Sequence, residues 1–175
     1  GNLYTVSFEA DDGAPVPAMQ FVLEGGNASE PEAMVRKGYE FGGWYTDASF
    51  ETEWNFLDDA VTEPITLYAQ WMLTEYDLWV NGLRVTSLNQ DDVLGDLDEG
   101  ATITYDEQTN TLTLNNASLV VDEAASGIMA SGDLIIDLQG ENEIYNAEEN
   151  YQNLCSVTGD LTIKGEGSLT MRTRS

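Results

Sequence analysis

Histidine is missing from this 175-residue chain. With it go the usual neutral-pH base, the commonest metal ligand and the partner that activates a serine or cysteine nucleophile. Only carboxylate chemistry is left, which weighs against an enzyme. Cysteine occurs once, at Cys155, so no disulfide can form within the chain. Basic residues are scarce: six Lys and Arg stand against 32 Asp and Glu, a formal net charge of −26. Such a field repels phosphate backbones, which removes nucleic acid and anionic membranes as expected partners. It suits a soluble outer surface or a binder of cations. Apolar runs are short, well below the roughly 20 residues that span a bilayer, so no membrane insertion is expected. No export signal opens the chain, but Gly1-Asn2-Leu3 runs straight into a strand pattern and reads as a trimmed beginning.

What is present is apolar enough for a packed core, with 42% hydrophobic and 10% aromatic residues. The first 71 residues hold several alternating, β-type runs. Leu3 to Phe8 sets Tyr4, Val6 and Phe8 against Leu3, Thr5 and Ser7. Gln20 to Glu24 is a short run ended by Gly25-Gly26. Tyr39 to Tyr45 is aromatic, with Gly42-Gly43 where a bulge is expected. Ile65 to Trp71 alternates again after Pro64. Ala28 to Val35 offers room for a helical turn or two at most.

The order Tyr4-Thr5-Val6, Arg36-Lys37-Gly38-Tyr39, Phe41, Gly43-Trp44-Tyr45, Trp54-Asn55-Phe56 and Leu67-Tyr68-Ala69-Gln70-Trp71 resembles the Listeria–Bacteroides repeat, the B-repeat of the internalins. The resemblance implies a small β-grasp-like module over residues 2–73 and an extracellular, bacterial cell-surface or secreted setting. It implies an address more than an activity.

Residues 74–175 carry an internal repeat. Gly132-Asp133-Leu134-Ile135-Ile136 returns as Gly159-Asp160-Leu161-Thr162-Ile163, and each block is followed by a Gly-Glu turn and a further short run. Taking Leu112, Leu134 and Leu161 as equivalent gives steps of 22 and 27 residues. Steps of that size fit the first coils of a right-handed parallel β-solenoid, whose coils bury their apolar face only by stacking. A β-sandwich of hairpins competes, with Leu112 to Leu119 folding over an Asn115-Asn116 turn. The solenoid is preferred because the whole block recurs. Tyr76 to Thr86, Asp92 to Asp96 and Thr104 to Leu114, together with the coils, resemble leader segments of bacterial surface β-helix proteins, some of them carbohydrate-binding. The coil pattern shows no polar cap, so this end is expected to continue or to be covered, and self-association through it is one expectation.

Each candidate site has a bland alternative. Trp44, Trp54, Trp71 and Trp79 could stack on sugars, but the core reading is preferred for each. Tyr145 and Tyr151, between coils, are the better glycan-stacking candidates. Calcium, which takes six to eight oxygen ligands, is the one cofactor suggested. Asp91, Asp92, Asp96 and Asp98 crowd one loop, and Asp133 and Asp160 would stack in successive coils. The preferred reading of Gly-Asp is a corner turn. Cys155 reads as a small buried hydrophobe. The expected function is a non-catalytic, adhesin-like role, with glycan binding by the second module the leading specific expectation and an extracellular glycan or a host or cell-surface protein as partner. A structural spacer and a protein-binding module are the alternatives.

Overall fold

The computed structural model describes residues 1–95, 97–121, 126–148 and 154–174, and those residues fold as all β, with no helix among them. The chain divides into two compact units, Gly1–Leu73 and Thr74–Ser175, each with its own core.

Unit 1 is a four-stranded sheet of β1 (Leu3–Glu9), β2 (Gln20–Leu23), β3 (Tyr39–Tyr45) and β4 (Ile65–Leu73) in the order β2-β1-β4-β3. β1 and β4 run parallel in the centre, and the outer pairs are antiparallel. The alternation read in the sequence sets the faces. Val6, Phe8, Leu67, Ala69 and Trp44 are buried on one side, with Val22, Met34 and Val61 closing the cluster. Phe8 and Phe41 meet the Trp44 ring edge-on at 5.0 and 5.6 Å. The expected bulge in β3 falls between Phe41 and Trp44, at Gly42-Gly43. No helical turn forms over residues 28–35. Pro31 interrupts that stretch, and the Gln20 side chain ties it down instead. Its amide donates to Ser29 O at 2.7 Å, and its Oε1 accepts the Ser29 N–H at 2.8 Å.

Unit 2 contains β5 (Glu75–Val80), β6 (Leu83–Thr86), β7 (Thr102–Asp106), β8 (Thr111–Asn115), β9 (Ser118–Val121), β10 (Ile128–Ala130), β11 (Leu134–Gln139), β12 (Glu141–Asn146), β13 (Cys155–Val157), β14 (Leu161–Lys164) and β15 (Ser168–Thr173). Three sheets result, in the orders β13-β10-β5-β6, β14-β11-β8-β7 and β15-β12-β9. The sheets are mixed, unlike those of a purely parallel solenoid. β8, β11 and β14 run parallel, as do β9, β12 and β15, and β10 and β13, whereas β5, β6 and β7 pair antiparallel.

One competing alternative falls here, and one expectation is corrected. β8 and β9 do not pair with each other; they belong to different sheets, so the Asn115-Asn116 hairpin does not form. The register Leu134↔Leu161 is the one the repeat implied, but Leu112 pairs with Ile136, not with Leu134. That step runs from 112 to 136, which is 24 residues. The shift is even, so every side chain keeps its face and the core survives the misalignment. Leu112, Leu114, Leu134, Ile136, Leu119 and Ile144 all lie in that core.

Candidate functional site

Tyr145 lies on the outer face of the β15-β12-β9 sheet, between buried Ile144 and Asn146. Its neighbour in β15 is Arg172, and its neighbour in β9 is the exposed Val120. The Arg172 guanidinium sits 4.1 Å from the Tyr145 ring centroid, and its Nε donates to Glu143 Oε1 at 2.7 Å. One face of the ring is therefore already covered by a cation, which its own carboxylate holds in place. A sugar stacking there has to displace it. Tyr151 lies outside the described residues. The covering arginine follows Tyr145 by 27 residues, the same step as Asp133 to Asp160, so the repeat already contained this contact.

Trp79 follows the same rule and departs from the core expected for it. Leu78 and Val80 point inward and are buried, so Trp79 points outward, with Arg84 at 5.1 Å from its ring. Arg84 is held in turn by Glu75 at 3.1 Å, by Asp77 at 2.9 Å and by Tyr76 O at 2.9 Å. Trp44 is buried as expected, and Trp71 is half-buried with its Nε1 donating to Ala10 O at 2.8 Å.

Among the candidate calcium residues, Asp91, Asp92 and Asp98 lie in the loop between β6 and β7, and Asp96 falls outside the described residues. Backbone bonds close that loop: Asp92 N–H donates to Asn89 O and Ala101 N–H to Asp98 O. Asp133 Oδ1 accepts the Asp160 N–H at 2.8 Å, so the Gly-Asp corner stitches one block to the next. The two backbones approach so closely there that a Cβ on Gly159 would collide with Gly132 and Asp133. Among the described residues, no three His, Cys, Asp or Glu side chains are grouped so as to hold a metal. Cys155 is half-buried, and burial pushes its thiol pKa up, which lowers its reactivity.

Nothing in the residue pattern pointed to three adjoining clefts on unit 1. The first, about 640 Å³, is lined by Glu30, Glu53, Trp54 and Phe56 among others. The second, about 420 Å³, shares Trp54 and adds Glu63 and Tyr68. The third, about 310 Å³, shares Tyr68 and adds Glu9, Asp11 and Phe50. The half-buried Trp54 keeps its indole N–H away from solvent and without an acceptor. Glu53 lies across the β3 bulge, where Gly43 adopts φ +110° and a Cβ would stand 2.6 Å from Glu53 Oε1. The third cleft is bordered by a turn organised by Asp47. Its carboxylate accepts the N–H groups of Glu51 and Thr52 and the Ser49 hydroxyl, and these bonds lower its pKa.

Two rows of apolar side chains also stand open. At the β2 edge of unit 1, Phe21 is 65% and Leu23 63% exposed, beside Leu3 and Met19. In unit 2, Leu161, Ile163 and Met171 of β14 and β15 are exposed, although Leu134, Ile136 and Ile144, their partners one step earlier, are buried.

Residues 4–70 match the family model of the Listeria-Bacteroides repeat domain. The chain is 38% identical over 81 residues to a putative membrane protein of Evansella cellulosilytica, covering 46% of this chain and 12% of that protein. It is 36% identical over 77 residues to a putative Gly-rich membrane protein of the same organism, covering 44% and 9%. It is 37% identical over 76 residues to internalin H of Listeria monocytogenes, covering 42% and 13%. The chain thus spans only about a tenth of the length of these relatives.

Proposed function

We propose that this chain is a non-catalytic section of a bacterial surface-associated repeat protein, and that it works by presenting surfaces to other proteins. The repeat in unit 1 and the kinship with internalin H and with proteins described as membrane proteins support the surface address. The described residues form no helix, so none long and apolar enough to cross a membrane is among them, which bears only on helical spans. In this reading unit 1 is β-grasp-like in strand order, and unit 2 is a short β-solenoid closed on one side by antiparallel strands. The absence of histidine supports the non-catalytic part.

The observation that carries the protein-contact reading is the β2 edge. Phe21 and Leu23 stand in solvent on a strand whose outer side has no partner strand among the described residues. An exposed apolar strand edge is a template for strand addition, and natural proteins normally blunt it with charge or proline. Glycan binding has less support, because Arg172 already occupies a face of Tyr145. The test is peptide-display selection on the whole chain, with counter-selection on F21K/L23K. Enrichment of β-prone sequences on the parent but not on the double variant is expected. Equal enrichment on both, or none, with a reproducible glycan-array signal lost in Tyr145→Ala, would reverse the assignment.

A further inference from the structure

The three clefts of unit 1 adjoin one another, because Trp54 is a wall of both the first and the second and Tyr68 a wall of both the second and the third. No Lys or Arg lines any of them. Each contributes carboxylate: Glu30 and Glu53, then Glu63, then Glu9 and Asp11. Asp11 is engaged by Arg36 at 3.3 Å, but no ion pair involves Glu9, Glu30, Glu53 or Glu63 among the described residues. Aromatic walls alternating with unpaired carboxylates are the surroundings an ammonium or guanidinium group prefers. The ring faces attract it, the carboxylates neutralise it, and its aliphatic stem covers the ring.

We propose that these adjoining clefts are a groove for an extended, lysine- or arginine-bearing segment of a partner protein. An extended chain places every second side chain on the same face, about 6–7 Å apart. Basic residues at alternate positions then enter successive clefts, with their stems crossing Trp54 and Tyr68. Charge selects this occupant over a second copy of the chain. Unit 1 carries only two basic residues, Arg36 and Lys37, and Arg36 is held by Asp11 and Asp12 and stacked on Tyr39. Like-charged copies repel each other at such a site. The groove is a different surface from the β2 edge, and the inference shares with the proposed function only the premise that the partner is a protein.

The experiment is an NMR titration of the whole chain with an oligolysine peptide, against a Gly-Ser peptide of equal length, at about 0.15 M salt. Saturable shifts of the Trp54 indole N–H and of the Glu53 and Tyr68 amides are expected with oligolysine alone. The variant E30Q/E53Q/E63Q should bind about tenfold more weakly. E99Q/E141Q/E166Q, with the same net charge and its changes on exposed residues of unit 2, should stay within about twofold of the parent. F21K/L23K should bind oligolysine as the parent does, which separates this groove from the edge strand. Equal weakening in the two glutamine triples would overturn the proposal in favour of diffuse acidity. Loss of binding in F21K/L23K, or no saturable shift, would also overturn it.

Discussion

At the scale of single residues, amides and carboxylates at the turns of unit 2 are what join one block to the next. Asn142 is buried, with its Oδ1 accepting the Ala117 N–H at 2.7 Å and its Nδ2 donating to Gln139 O at 3.1 Å and Ser168 O at 3.2 Å. One side chain thus touches three successive strand–turn–strand blocks. Replacing it with leucine keeps the volume and strands a buried N–H and two part-buried carbonyls, at about 2–4 kcal/mol. Asn142→Leu should therefore lower the urea midpoint strongly, and a loss below about 1 kcal/mol would show that solvent reaches this turn. Tyr76 gives a pH test. Its hydroxyl donates to Glu107 Oε2 at 2.9 Å, and desolvation, then Glu107, raises its pKa to about 12 from an ordinary 10.0. A raised acid pKa means that the folded state holds the proton longer. The contribution is complete below about pH 10 and is lost as the pH climbs towards 12. Between about pH 9 and pH 11, Tyr76→Phe should lose less stability than the parent chain does; equal losses would place the alkaline transition elsewhere.

At the scale of elements, the sequence shows the strands better than it shows their partners. Period-two alternation located β1 and β4, an aromatic run broken by Gly42-Gly43 located β3, and the recurring Gly-Asp-Leu block set the β11–β14 register. The β8–β11 step slipped by two residues, because Leu134 and Ile136 are equally apolar and an even slip preserves the face. The Arg172 cap on Tyr145 was missed although the repeat step holds its signal, and Trp79, expected in the core, was misread although the alternation of its own strand sets it outward. The clefts around Trp54 were not, since they depend on where the loop after the β3 bulge comes to rest. Register makes its own prediction. Ile136 and Ile163 are Cα partners, yet the first is 0% and the second 50% exposed. Ile136→Ala should cost about 2–5 kcal/mol and Ile163→Ala well under half of that, since only the first leaves a cavity among packed neighbours. Comparable costs, by urea unfolding, would mean that β14 is covered in solution. Sedimentation of the same variants would then show whether a second copy covers it.

At the scale of the whole molecule, charge dominates. Of the six basic residues, Arg36, Arg84 and Arg172 are spent in ion pairs inside their own units, so most of the 32 carboxylates face one another through solvent. Both units share the excess, and folding concentrates like charge that the unfolded chain spreads out. Self-repulsion of this kind opposes the compact state and is screened by salt, whereas the few surface ion pairs would be weakened by it. The two effects have opposite signs, and the numbers decide between them: a net charge of −26 remains after every cation has been counted, the paired arginines included. Moving from about 0.01 M to about 1 M NaCl shortens the screening length from roughly 30 Å to roughly 3 Å. The melting temperature should rise, by about 4–8 °C for each kcal/mol of repulsion removed from units of this size. A variant with several exposed glutamates changed to glutamine should start higher and gain less. If salt instead lowered the melting temperature of the parent chain, the arginine pairs would outweigh the field, and the acidic surface would be closely matched to its own few cations.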